Sequence, residues 1–171
     1  LYIAVLWTGL SLLVATLLGP WGFGAAVAGL LLAWAYSAPP LRLKNNGWWG
    51  NAACGLSYEG LAWLTGAAVM AGGAMPGAGS LLLALLYSVA AHGIMTLNDF
   101  KSVAGDRQMG VASLPVQLGI GRAARTACWV MVLPQLAVAA LLLSWGRPWH
   151  ALAVLALVGG QSLLMRRLVR A

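Results

Sequence analysis

Apolar runs of roughly twenty residues, each closed by a short cluster of Gly, Pro or charge, recur six times along the chain. A hydrocarbon core about 30 Å thick is crossed by about 20 helical residues. The pattern therefore predicts spans over roughly 1–18, 21–38, 50–70, 80–98, 124–145 and 150–168, an all-α, multi-pass transmembrane helical bundle in one domain with no soluble domain. The breaks have the chemistry of turns. Gly19-Pro20 is tight, Pro39 through Trp49 is a proline-led polar loop, Gly72 to Gly79 is a Gly/Pro turn, Asn98 to Ala123 is the longest polar stretch, and Gly146 to Trp149 is short. The sequence starts at Leu1 inside an apolar run, without a basic leader or cleavage site, and reads as a piece of a longer protein.

Charge changes the picture by giving the spans a direction. The 171 residues hold 10 Lys+Arg and 3 Asp+Glu, and 61% are hydrophobic. Charged residues make up 8%, against about 25% in soluble domains, which excludes an ordinary globule. A net charge of +7 would suit a nucleic-acid surface only if the cations clustered with aromatics between them. They are scattered between apolar runs, so no nucleic-acid partner is expected and the lipid bilayer is the partner. Six spans place alternate connections on alternate sides, and nine of the ten cations then share one side, with only Arg147 opposite. The positive-inside rule puts both chain ends and the two long loops in the cytoplasm. Trp21, Trp48, Trp49, Trp145 and Trp149 fall near span ends, where an aromatic belt would lie.

Three acids in such a chain are candidates by scarcity alone. Asp99 and Asp106, seven apart in the longest loop, lie on one face if the fourth helix continues through them. With Asn98 they are hard oxygen ligands suited to Mg²⁺ and phosphate, and Lys101, Arg107, Arg42 and Lys44 would add cations for the phosphates. The alternative is that Asp99 ends a helix and Asp106 belongs to a Gly-Asp turn. Tyr36 brings a phenol to the same side as Arg42 and Lys44, where the three would stabilise an anionic leaving group; otherwise they are an interfacial tyrosine and two topology-setting cations. Glu59 lies well inside the third span, where an ionisable group is costly and faces a cavity or a partner, unless it is a protonated acid that packs the bundle. His92 is nearly two turns deeper than Asn98 and would meet Glu59 or ligate a metallated pigment; the alternative is a buried histidine with its own hydrogen bonds. Cys54, Cys128 and His150 show no metal-site spacing.

Several of these stretches resemble one family. Tyr36 through Lys44 (YSAPPLRLK), Asn46 through Asn51 (NGWWGN), Tyr58 through Gly60 (YEG), Asn98 through Gly110 (NDFKSVAGDRQMG) and Ser113 through Val116 (SLPV) are similar to the chlorophyll synthase branch of the UbiA prenyltransferase superfamily. The stretch from His92 to Lys101 is most like its bacteriochlorophyll synthases. The resemblance implies an all-α bundle of about nine spans, six of them represented here, in a bacterial inner or photosynthetic membrane. It also implies two Asp-rich loop motifs that bind a prenyl diphosphate through Mg²⁺, and an acceptor, chlorophyllide or bacteriochlorophyllide, whose propionate is esterified with a geranylgeranyl or phytyl group. On that resemblance Asn98, Asp99 and Asp106 hold metal and diphosphate, Tyr36 and Lys44 join the catalytic set, and Arg42, Lys101 and Arg107 bind the diphosphate.

Three departures follow from the same resemblance. The first Asp-rich motif is missing, Ala104 stands where relatives carry Glu, and Ala112 stands where they carry a basic residue. These 171 residues are therefore expected to be inactive alone, with Mg²⁺ binding weakened at Ala104. Two other classes fit the composition. A pigment-binding structural subunit would use His92 as an axial ligand, and a transporter fragment would carry its acids near the midplane on broken helices rather than at a loop.

Overall fold

The computed structural model describes residues 2–170, and among these the secondary structure is helical apart from one isolated bridge between two loops. Helix α1 (Tyr2–Ala15) passes through a tight turn at Thr16–Leu18 into α2 (Gly19–Ser37). Gly19 has φ 76°, and a Cβ there would lie 2.9 Å from the Gly73 Cα, so only glycine suits both the conformation and the contact. Pro20 occupies the first turn of α2, where a missing N–H costs nothing.

Helix α3 (Gly47–Gly55), a π-helical turn at Leu56–Leu61 and α4 (Ala62–Met70) follow without a break. Then come α5 (Ala78–Asp99), two short helices α6 (Val103–Met109) and α7 (Leu114–Leu118), and the long α8 (Ile120–Ser144) and α9 (Pro148–Arg170). Among the described residues 4 helical stretches are long and apolar enough to cross a membrane: Tyr2–Ser37, which takes in the turn at Thr16–Leu18, Ala78–Asp99, Ile120–Ser144 and Pro148–Val169. The expected span over 50–70 is helical throughout, but its π turn divides it into two pieces of 9 residues. The expected loop from Asn98 to Ala123 carries α6 and α7.

Helix α5 is the centre of the packing, with α3 and the π turn against one side and α8 against another. Helix α9 lies on α8, α2 on α4, and α1 on α2. The buried positions are mostly small: Ala25, Ala53, Ala68, Ala84, Ala91, Ala127 and Ala139, whereas Leu31, Leu85, Trp129 and Leu157 face outward. Small residues let helix backbones approach where lipid, not water, surrounds the bundle. A Cβ on Gly55 would lie 2.5 Å from the Ser88 carbonyl oxygen, and one on Gly93 2.8 Å from that of Ala127. The α3–α5 and α5–α8 contacts are thus made at backbone distance. Gln135 Nε2 donates to Gln161 Oε1 at 3.0 Å between α8 and α9, a polar tie of the kind that joins helices in an apolar medium.

Candidate active site

The site is built at the end of the bundle where α3 begins and α5 ends. Asn46 is extended, and its Oδ1 accepts from the backbone N–H groups of Trp48 at 3.0 Å and Trp49 at 3.4 Å, so it caps α3 and satisfies two otherwise orphaned donors. Its backbone is also the point where the two long loops meet. Gly47 N donates to Ala112 O at 2.8 Å, and Ala112 N donates to Asn45 O at 2.9 Å. Gln117 Nε2 donates to the same Ala112 carbonyl. Gly47 has no room for a Cβ against the Leu114 backbone, and one on Gly50 would lie 2.9 Å from the Leu43 carbonyl oxygen. The loop bearing Arg42 and Lys44 is in this way fastened to the segment that follows α6. Arg42 itself sits at φ 41°, unusual for a residue with a Cβ, and both its side chain and that of Lys44 are exposed.

Asp99 is the last residue of α5. Asn51, 8% exposed on α3, donates from Nδ2 to Asp99 Oδ2 at 3.0 Å and to Thr96 Oγ1 at 3.3 Å. Thr96 is fully buried and sends its own proton to the His92 carbonyl at 2.9 Å. The chain of donors fixes the amide: the Thr96 hydroxyl proton is committed, so its lone pair receives one Asn51 hydrogen and Asp99 receives the other. Helix α5 does not continue to Asp106 as the seven-residue spacing suggested. The chain turns at 100–102, and α6 starts anew at Val103. Ser102 manages that turn, its Oγ lying 3.1 Å from both the Asp99 carbonyl oxygen and Asp106 Oδ2. The two aspartates are linked across a turn through Ser102, rather than along one helix face.

Tyr36, near the end of α2, is half-buried beside Cys54 of α3 and within electrostatic reach of Asp99. A cavity of about 240 Å³ opens there, lined by Leu32, Tyr36, Ser37, Cys54, Ser57 and Tyr58. Asn98, Lys101 and Arg107 are exposed at the same end. Two expected residues stand apart. Glu59 lies on the π turn and shares no hydrogen bond with His92. The His92 Nε2 is 3.1 Å from the Trp48 carbonyl oxygen, and its ring lies 5.8 Å from the Trp48 ring. Its Nδ1 is buried without a partner, so in this arrangement neither ring nitrogen is open to a ligand.

Asn51 and Ser102 stand within the resembling stretches, but the sequence assigned neither of them, nor Thr96, a part in orienting the carboxylates. An Asn in an otherwise apolar run was the available signal. For a divalent ion the donor set is suitable. Asp99 and Asp106 each keep an oxygen without a partner among the described residues, and these are hard donors. No group of three His, Cys, Asp or Glu gathers among the described residues. That composition fits an ion completed by phosphate oxygens and water, the usual habit of Mg²⁺, rather than one caged by protein.

The sequence matches the UbiA prenyltransferase family over residues 1–171. It is 57% identical over 170 residues to the bacteriochlorophyll synthase 33 kDa chain of Cereibacter sphaeroides, taking in 99% of this chain and 56% of that protein. It is 47% identical over 165 residues to the bacteriochlorophyll synthase 34 kDa chain of Chloroflexus aurantiacus, with 96% and 51% covered. With the chloroplastic chlorophyll synthase of Arabidopsis thaliana it shares 48% identity over 143 residues, 81% of this chain and 35% of that one. The chain spans about half the length of these bacterial relatives. No solved structure matches it significantly.

Proposed function

This integral membrane chain belongs to the UbiA prenyltransferase family, and from that premise we propose that it supplies the second diphosphate-binding loop of an enzyme that prenylates a (bacterio)chlorophyllide. The acceptor follows from the names of its relatives. In the reaction the allylic C–O bond of geranylgeranyl or phytyl diphosphate breaks, and its electron pair leaves with diphosphate. A propionate oxygen of the pigment then bonds to the freed carbon. No net redox change occurs, so the chemistry to be supplied is stabilisation of the departing anion and shelter of the allylic cation from water.

The observation that carries this reading is the Asn51–Asp99 hydrogen bond at 3.0 Å. It holds one oxygen of the carboxylate and leaves the other for the ligand side. Asp99, Asp106 and the Asn98 side-chain oxygen would hold Mg²⁺, which when bound neutralises charge on the diphosphate. Arg42, Lys44, Lys101 and Arg107 bind the phosphate oxygens, and Tyr36 donates its phenol proton to one of them. Arg42, Lys44, Lys101, Arg107, Arg122 and Arg125 lie at this end, with Arg147 at the other, which supports a cytoplasmic site under the positive-inside rule.

The test is Mg²⁺-dependent ester formation from bacteriochlorophyllide and a prenyl diphosphate by the full-length enzyme. Asp99→Ala and Asp106→Ala should each lower kcat by about 10²-fold or more, the scale of losing one charge-stabilising group. Full activity in both variants would overturn the assignment.

A further inference from the structure

Six arginines are not used by this chemistry, and all but Arg147 share one place. Arg122 and Arg125 lie in the first turns of α8, and Arg166, Arg167 and Arg170 in the last turns of α9. The two helices run antiparallel through the turn at Trp145–Arg147, so these termini are neighbours. None of the three acids of the chain is on either helix. At this end α8 and α9 part to form an open groove of about 460 Å³, whose lining includes Arg125, Trp129, Val132, Ser162, Met165 and Arg166. Arg125 spends its Nε on the Gly121 carbonyl at 3.3 Å, which leaves its terminal nitrogens free to point at a ligand.

The order of side chains along the groove has the polarity of a lipid. By helix register Arg125 and Arg166 lie near the α8 and α9 termini, Trp129 and Ser162 about one turn deeper and Val132 about two turns deeper, while Met165 and Val169 line the wall beside Arg166. We propose that the groove binds the headgroup of an anionic phospholipid, with Arg125 and Arg166 on its phosphate and an acyl chain along Trp129 and Val132. Charge complementarity selects this occupant. Two arginines without a neighbouring carboxylate would repel one another in a low-dielectric setting, and a phosphodiester relieves both through forked hydrogen bonds. Basic pockets between membrane helices at the cytoplasmic face are where such headgroups bind. A purely topological role predicts something different: any arginine at this end would count equally, whether or not it lines the groove.

The experiment is native mass spectrometry of the purified full-length protein, titrated with phosphatidylglycerol or with phosphatidylcholine of the same acyl chains. The wild type should retain one phosphatidylglycerol with a preference of about tenfold or more, consistent with two basic contacts. Arg125→Gln with Arg166→Gln should abolish the preference, and Arg122→Gln with Arg167→Gln should keep it. Ser162→Trp fills the groove without changing charge and should lose the lipid as well. Equal loss in both arginine pairs, or retention in Ser162→Trp, would show a diffuse field and overturn the site. Displacement by millimolar inorganic phosphate would identify the phosphate alone and overturn the lipid.

Discussion

Asn51 shows how much a single amide can decide. It is the link between α3 and the carboxylate at the end of α5, and both of its hydrogens are assigned by the Thr96 hydroxyl and Asp99 Oδ2. A hydrogen bond to a charged group contributes about 1.5–3 kcal/mol, and residues that orient a metal ligand change affinity or activity by about 10–100-fold. Asn51→Ala should therefore leave helix content intact by circular dichroism while raising the Mg²⁺ concentration for half-maximal ester formation by about tenfold. An unchanged metal titration would show that Asp99 needs no such support. Asp99 and Asp106 were legible in the sequence because an acid is rare in a chain that is 8% charged. Asn51 was not, because its meaning depends on a partner 48 positions away, and no local spacing announces that contact.

Between residues and the whole fold stands the α3–α5 contact, where the apolar pattern located the helices but not their distance. Turns at Gly19-Pro20 and Gly146 were readable because glycine and proline punctuate the pattern locally. The π turn at Leu56–Leu61 was not, since one extra residue in a helical turn leaves apolar content unchanged. Its placement accords with the close approach on either side of it: Cβ atoms built on Gly55 and Gly60 fall 2.5 Å from Ser88 O and 2.6 Å from Ser88 Oγ. The Gly55 contact is with backbone, so no rotamer change relieves it. Gly55→Ala should destabilise the protein by about 1–3 kcal/mol, the cost of overpacking, read as a lower Tm in detergent. Gly66 on α4 has open space around its Cβ position, and Gly66→Ala should be neutral or stabilising by about 0.5–1 kcal/mol. Equal effects of the two changes would mean that propensity, and not packing, governs this helix.

At the scale of the whole molecule the question is how two loops separated by a long apolar stretch come to lie together. Charge counting on the sequence put them on one side of the membrane; it had no means of joining them. The join is a backbone bridge between Asn46 and Ala112, which is blind to side-chain identity and so was invisible in the residues at those positions. It also alters the meaning of Ala112, whose departure from a basic residue looked like a defect. Both bridge bonds use its main chain, so the alanine costs the loop docking nothing. Docking and charge separate by substitution. Ala112→Pro removes the N–H that reaches Asn45, worth about 0.5–1.5 kcal/mol as a bond, and lets the loop of Arg42 and Lys44 drift from Asp106. The KM for prenyl diphosphate should rise by about tenfold, since displacing positioned groups by an ångström has costs on that scale or larger. Ala112→Lys keeps the bridge, adds a cation, and should leave that KM equal or lower. If Ala112→Pro binds the diphosphate as tightly as the parent enzyme, the loops work independently and the bridge is only a fold contact.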